Sequence, residues 1–274
     1  MRQPLIAVLL SGALLVLPGC GPSRQAVQSA ESALYAETAL DLVINSATRT
    51  PANVARDRYR HPAETLAFFG VDPTDTVVEI WPGGGWYTEI LAPYLSGRGT
   101  YYAVGGEGQL RAVRAMAAKD PMLYGTIRLA AFPAGPAETR VPDGTADVVL
   151  TFRNVHNWLM ADPPIAENVF RQAFAMLKKG GTLGVAEHRL PEEADSARER
   201  KSGYVKVSTV RALAERAGFR FVGASEINAN PLDTKDHPNG VWSLPPALRG
   251  GAVDREKYLA IGESDRMTLK FVKP

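Results

Sequence analysis

The chain is poor in the residues that staple or metallate a protein. Of its 274 residues only Cys20 is a cysteine. One thiol excludes an internal disulfide and any cysteine-based metal site. Charge of one sign is also missing, since 31 Lys and Arg face 29 Asp and Glu and leave a net +2. Nucleic-acid binders show a clustered basic face, so no nucleic-acid partner is expected. The four histidines, His61, His156, His188 and His237, are scattered, with no HExxH and no paired spacing. No metal centre is therefore expected. What is present is 45% hydrophobic and 22% charged, with 25 glycines and 20 prolines. That is an ordinary globular composition, and the length admits one large domain or two small ones.

The first twenty residues read as an address. Arg2 supplies a positive start, Leu5 to Leu17 run apolar, and Pro18-Gly19-Cys20 follow. A charged start, a short apolar stretch and small residues at its end describe a secretory signal peptide. The run is shorter than the roughly 20 residues of a spanning helix. Leu17-Pro18-Gly19-Cys20 resembles a bacterial lipobox, whose cysteine is lipidated and becomes the mature N-terminus. The expectation is an exported protein on the periplasmic side of a bacterial membrane, anchored through Cys20 without spanning it. Residues 21–55 then read as a tether running into an N-terminal helix. Val27, Ala30, Leu34, Leu40, Val43 and Ile44 fall at three- and four-residue spacings there.

From residue 56 onward the pattern becomes one alternating domain. Thr76 to Ile80, Thr100 to Val104, Ile127 to Phe132, Ala146 to Phe152 and Thr182 to Glu187 are short β-branched or apolar runs. Near-continuous apolar runs suit strands buried on both faces of a parallel sheet. Helical stripes lie between them. Ile165, Val169, Phe170, Ala173, Phe174 and Leu177 form one, which Lys178-Lys179-Gly180-Gly181 should terminate. Another should start at Ser208 as N-cap and stop at Gly218. Phe219 to Ile227 and Arg266 to Val272 read as two final strands around a long insertion, residues 228–264. Strand and helix in alternation predict an α/β fold with an open sheet and helices on both faces.

Chemistry begins at the glycine-rich turn. A strand running into Gly83-Gly84-Gly85 before a helix presents backbone N–H groups and a positive helix end to a ligand. No Gly-Lys-Ser/Thr follows, so the turn is not a P-loop. Gly-x-Gly-x-x-Gly and an acid closing the second strand are both absent, which disfavours a dinucleotide fold.

The surrounding residues carry a family resemblance. Val77-Val78-Glu79-Ile80-Trp81-Pro82-Gly83-Gly84-Gly85-Trp86-Tyr87-Thr88 resembles the first motif of class I S-adenosylmethionine-dependent methyltransferases. There an acid ends the first strand and a Gly-x-Gly-x-Gly turn follows. Glu79 matches the acid, Gly83 and Gly85 match the second and third glycines, and Trp81 stands at the first. Ala146 to Thr151 resembles the fourth-strand motif, Phe174 to Leu183 the entry to the fifth strand, and Ala217-Gly218-Phe219 the approach to the sixth. A subgroup with a tryptophan-rich turn and an Arg-Asn-x-His segment is similar too. The resemblance implies a Rossmann-like, doubly wound, seven-stranded sheet with an antiparallel last strand. It also implies S-adenosylmethionine as cofactor, near Glu79, Trp81, Gly83, Gly84, Gly85, Trp86 and Tyr87.

Two of the family's acids are missing. Thr100 to Val104 ends in Gly105-Gly106, so Glu107 is the nearest carboxylate for the ribose, and Phe132 to Gly135 offers none for adenine. Ligands of open α/β sheets bind outside the carboxyl ends of the strands. Those ends carry Trp86, Tyr87, Glu107, Arg153, Asn154, His156, Trp158, Glu187 and His188. His156 is the candidate base, Arg153 the clamp for an anionic acceptor, and Asn154 their companion. His61 and His188 read as structural, and Asp233, Asp236 and His237 as solvated turn residues. The expected activity is methyl transfer to a small-molecule or lipid-associated envelope acceptor. The alternative is an exported binding protein that kept the fold and lost the donor site. The missing acids favour the alternative, as does a compartment with no evident supply of the methyl donor. The insertion, with Trp242 and Pro245-Pro246, is expected to cover the crevice.

Overall fold

In the computed structural model, which describes residues 24–274, each of those runs becomes a strand of one sheet. The strands are β1 (Thr76–Ile80), β2 (Thr100–Val104), β3 (Arg128–Ala130), β4 (Ala146–Phe152), β5 (Leu177–Leu190), β6 (Val205–Lys206), β7 (Arg220–Ser225) and β8 (Arg266–Val272). Their order is β3-β2-β1-β4-β5-β8-β7, with the two-residue β6 paired beside the end of β5. The first five of these neighbours run parallel, and β8 is antiparallel to both β5 and β7. This is the expected Rossmann-like sheet with one addition. β6 makes an eighth strand because Arg189 and Leu190 extend β5 beyond the main sheet.

Both faces of the sheet are covered, as the apolar runs require. Successive strand residues point to opposite faces. Val78 and Val149 pack with helices Ala166–Met176 and Val207–Arg216. Their neighbours Val77 and Val148 pack with helices Pro62–Phe69 and Thr88–Leu95. Burying each such side chain contributes roughly 1.5–3 kcal/mol. The antiparallel β8 has a further effect. It pairs Arg266 with His188, so its first residues arrive at the edge where the parallel strands end.

Several boundaries differ from the sequence reading, each for a local reason. The described residues divide into two units between Tyr35 and Ala36. The signal peptide and Cys20 lie outside the described residues. In the first unit, residues 24–35 are the opening part of helix Arg24–Ile44, and Ala30 and Leu34 are exposed there. In the second unit, Leu40 is buried and Val43 and Ile44 pack on the core, so the apolar stripe covers only the helix's later turns. Residues 36–55, read as part of the tether and N-terminal helix, fall in this second unit. Helix Ala166–Met176 ends before Leu177, which already pairs with Ala146 in the sheet. Lys178 does not cap that helix but binds Asp147 at 2.7 Å. Helix Val207–Arg216 takes Lys206 as N-cap, while the Ser208 hydroxyl bonds Glu192 at 2.5 Å. Among the described residues no helix is long and apolar enough to cross a membrane.

Packing is close where β4, β5 and helix Pro62–Phe69 meet. A Cβ on Gly184 would lie 2.6 Å from the Phe69 ring and 2.8 Å from Leu150. Neither neighbour has room to retreat, since both are fully buried. Gly184→Ala is expected to destabilise the protein by about 1–3 kcal/mol through overpacking. The check is the urea midpoint, which should fall with an unchanged slope.

Candidate functional site

The turn after β1 is built on left-handed backbone. Trp81, Gly83 and Gly85 have φ of 52°, 59° and 81°. Such angles are free for glycine and cost a bulky residue energy, so Trp81 marks stored strain. Asn154 holds the turn in place. Its side-chain amide donates to Ile80 O at 2.9 Å, to Trp81 O at 3.3 Å and to Thr151 Oγ1 at 3.2 Å. The Trp81 indole donates to Phe132 O at 3.0 Å and packs edge-on to Trp158. A Cβ at Gly83 or Gly84 would touch nothing, whereas one at Gly85 would meet Met116 Sδ at 2.5 Å. The open approach is therefore at Gly83 and Gly84. Gly85 serves packing and backbone angle.

Beyond this turn lies a cleft of about 140 Å³ over the ends of β1 and β4. Gly83, Gly84, Glu79, Tyr87, Arg56, Arg60 and Arg153 are among its walls. Tyr87 stacks flat on Phe152 at 3.6 Å, and Arg60 lies over the Trp86 ring at 4.8 Å. The arginines gather about one carboxylate. Glu263 accepts from Arg56 Nε at 2.6 Å, Arg60 Nε at 3.0 Å and Arg266 Nη1 at 3.1 Å. Burial works against its ionised form, yet Arg60, Arg266, Arg56 and Arg153 override it and hold the carboxyl at about 2. The cations bear the reverse strain. Burial lowers Arg60 well below its usual range, with the Arg153 charge adding to it. Burial also brings Arg153 down to about 10, against the pull of Glu263 and Glu187. Arg153 has φ 61°, a second strained residue at this edge.

Glu79 closes the cleft's floor at 3% exposure. Its Oε2 accepts from the Tyr101 hydroxyl and, at 3.3 Å, from Thr88 Oγ1. Burial outweighs these bonds and raises the carboxyl to about 7.

Behind Arg153 lies a histidine–carboxylate pair. His156 Nδ1 and Glu187 Oε1 are 2.9 Å apart, both buried. Both Glu187 oxygens accept backbone N–H groups, so the geometry suits Nδ1 as the donor of this pair. The backbone N–H groups of His188 and His156 also donate to Glu187, at 2.8 and 3.3 Å. His188 Nδ1 meets Ser264 Oγ at 2.5 Å, and burial, aided by His156 and Arg153, keeps that ring neutral far below its usual range. Two of the four histidines scattered in sequence, His156 and His188, are thus neighbours in space. His156, Glu187 and His188 have donor atoms within 4.8 Å of one another, a grouping compatible with a metal ion. Glu187 already serves N–H groups on both its oxygens.

The structure sorts the sequence candidates. Glu79, Trp81, Gly83, Gly84, Trp86, Tyr87, Arg153 and Asn154 share the cleft. Glu107 does not, being exposed on the first turn of helix Glu107–Lys119. A carboxylate there favours the positive helix end. Asn154 donates to the turn and is a positioning residue. His156 faces Trp242 of the insertion at 6.0 Å, and Trp242 lines a second depression with Arg198, Lys201 and Arg249. The insertion is pinned rather than loose. Asp233 and His237 are buried and bonded at 2.9 Å, and Asp233 also accepts from Tyr204 and from Asp265 N–H. Only Asp236 is a solvated turn residue. Sequence reading missed Arg56, Arg60, Glu263 and Arg266. The available signals were the Arg56 to Arg60 cluster before β1 and the charged Glu263-Ser264-Asp265-Arg266 at a strand entry.

No protein-family model matches the chain, and no curated protein matches it. Solved structures do. A SAM-dependent methyltransferase from Aquifex aeolicus superposes with TM-score 0.54 at 14% identity, over 87% of this chain and 98% of its own. A putative sarcosine dimethylglycine methyltransferase from Galdieria sulphuraria gives 0.52 at 14% identity, over 77% and 82%. The [4+2]-cyclase SpnF gives 0.54 at 17% identity, over 93% and 98%. The chain has the methyltransferase Rossmann-like fold. At such identities the likeness is one of fold, and the cyclase shows that this fold hosts more than one reaction.

The residues fit S-adenosylmethionine unequally. The open Gly83-Gly84 turn and the Glu79 floor suit its charged amino-acid end, beside the arginine wall. At the ends of β2 and β3 the indole of Trp81 stands where acids would hold the nucleoside.

Glu79 gives the site a measurable pH signature. Its folded pKa is raised from 4.5 to about 7, so the folded state holds a proton that the unfolded chain releases. Its stabilisation is complete below pH 4.5 and is lost as pH rises through 7, a change of about 3 kcal/mol. E79Q should flatten that segment of the stability–pH curve. An unchanged slope between pH 5 and 8 in chemical denaturation would refute the assignment.

Proposed function

We propose that the protein is a methyltransferase that takes its methyl group from S-adenosylmethionine. The observation that carries this reading is the open Gly83-Gly84 turn, facing a cation-lined cleft at the carboxyl edge of a methyltransferase sheet. Gly83 and Gly84 let backbone approach the donor, Glu79 favours its positive charge when ionised, and Trp81 bounds its nucleoside side. When bound, the donor supplies a methyl group on a positively charged sulfur. Transfer to a nucleophile in line needs alignment above all. Asn154 supplies it by fixing the turn, and Arg153 by holding the acceptor. Glu187 orients His156, the base proposed for any proton the acceptor must shed, which lies buried behind Arg153 and not on the cleft's walls. The acceptor is a small molecule or a lipid-associated envelope compound.

A second reading is favoured by one observation. Trp81 closes the nucleoside side in place of the family's acids, which suits a binding protein without donor chemistry. Calorimetry with S-adenosylmethionine separates the two. Micromolar binding lost in Gly84→Val is the expected result, and no heat at millimolar donor would leave the binding protein. In a labelled-methyl assay H156A should then lower turnover about 10²–10⁴-fold while leaving donor affinity unchanged.

We also propose export and attachment through Cys20 to the periplasmic side of a bacterial membrane. Cys20→Ser should move the protein from the membrane to the soluble fraction. Equal partitioning of both forms would exclude the lipid anchor.

A further inference from the structure

The arginine cluster is more positive than its own fold requires. Four arginines, Arg56, Arg60, Arg153 and Arg266, face two carboxylates, Glu263 and Glu187. Glu79, near half ionisation at neutral pH, offsets only part of the surplus. Four guanidinium nitrogens of this group are buried without a partner, namely Arg56 Nη2, Arg60 Nη2, Arg153 Nε and Arg266 Nε. Buried donors left unpaired and buried charges left uncompensated are both costly. Three of these residues, Arg56, Arg60 and Arg153, line the cleft. Arg153 adds a left-handed backbone to its unpaired charge. A residue that is costly in three ways and faces an opening is poised for a ligand.

That ligand is an anion, and the donor does not supply the missing charge. S-adenosylmethionine carries one carboxylate, one ammonium and one sulfonium, so its arrival makes the cleft more positive by one. We propose that the arginine cluster seats an oxyanion of the methyl acceptor, a carboxylate or phosphate bound beside the donor. The proposal rests on the donor reading above and narrows its acceptor to anionic compounds. Planar guanidinium forks match such groups with paired hydrogen bonds. The seat lies over the ends of β1 and β4, next to the glycine turn, where an acceptor must stand for in-line transfer.

The test uses the full chain in detergent, with inorganic phosphate and acetate as probes. Phosphate, acetate or both should raise Tm and saturate, and calorimetry should show each bound probe and S-adenosylmethionine tightening the other several-fold. Arg153→Asn keeps a side chain that tolerates the left-handed backbone. It should fold with a Tm no lower than the parent and bind the probes at least tenfold more weakly. Arg56→Gln, at the more exposed wall, provides a second variant with the same expected loss. Probe binding insensitive to both substitutions would overturn the seat. So would displacement of the probe by S-adenosylmethionine in one-to-one competition, which would assign the cluster to the donor's own carboxylate. Donor binding without any probe binding would overturn the seat and leave the methyltransferase reading standing. Probe binding sensitive to both variants, with no donor binding, would retain the seat and remove the methyl-donor reading.

Discussion

Glu263 is the carboxylate on which the functional edge depends. Three arginines from two distant parts of the chain converge on it at 2.6–3.1 Å. Without it, their charges would face one another in a buried space. Arg60 in turn lies over Trp86, whose indole donates to Asn53 O at 2.9 Å. The segment before β1 is therefore tied to the glycine turn through the same group. The salt bridge supplies register more than net stability, since a buried ion pair recovers little beyond its desolvation cost.

A second constraint is the backbone itself. Trp81 and Arg153 both adopt positive φ, at the ends of adjacent strands β1 and β4. Asn154 bonds the carbonyl of Trp81 and so connects the two strained positions. Strain of this kind persists only where the surroundings over-determine it. Here the sheet, the Asn154 amide and the Trp81–Phe132 hydrogen bond do so together. The edge is thereby pre-set, with charge and backbone held in place before any ligand arrives.

Much of this was readable from the residues. Strands β1, β2 and β4 fall where the β-branched runs place them, because their side chains are buried on both faces and the pattern is uninterrupted. The glycine turn and Arg153-Asn154-Val155-His156 also lie at the expected edge. The misses have physical causes. Glu107, the nearest carboxylate to the end of β2, stands outside the cleft because the helix begins at that residue and turns it to solvent. Asp233 and His237 looked solvated because the burial that Tyr204 and Asp265 impose on Asp233 comes from residues about 30 positions away and is invisible to local pattern. Arg56, Arg60, Glu263 and Arg266 escaped because their meaning arises only when antiparallel β8 returns its first residues to the edge. Proximity created by a strand's direction leaves no periodicity to read.

That return has a consequence for how the protein comes into being. Arg56 and Glu263 are 207 residues apart. Contacts of such separation form late, because the intervening chain must be ordered before they can close. During synthesis the glycine turn and the strands around it exist while the carboxylate that neutralises the arginines has yet to be made. The walls of the cleft thus belong to the first part of the chain, residues 53–154, while the charge balance of its arginines depends on a carboxylate that arrives with β8, between β5 and β7.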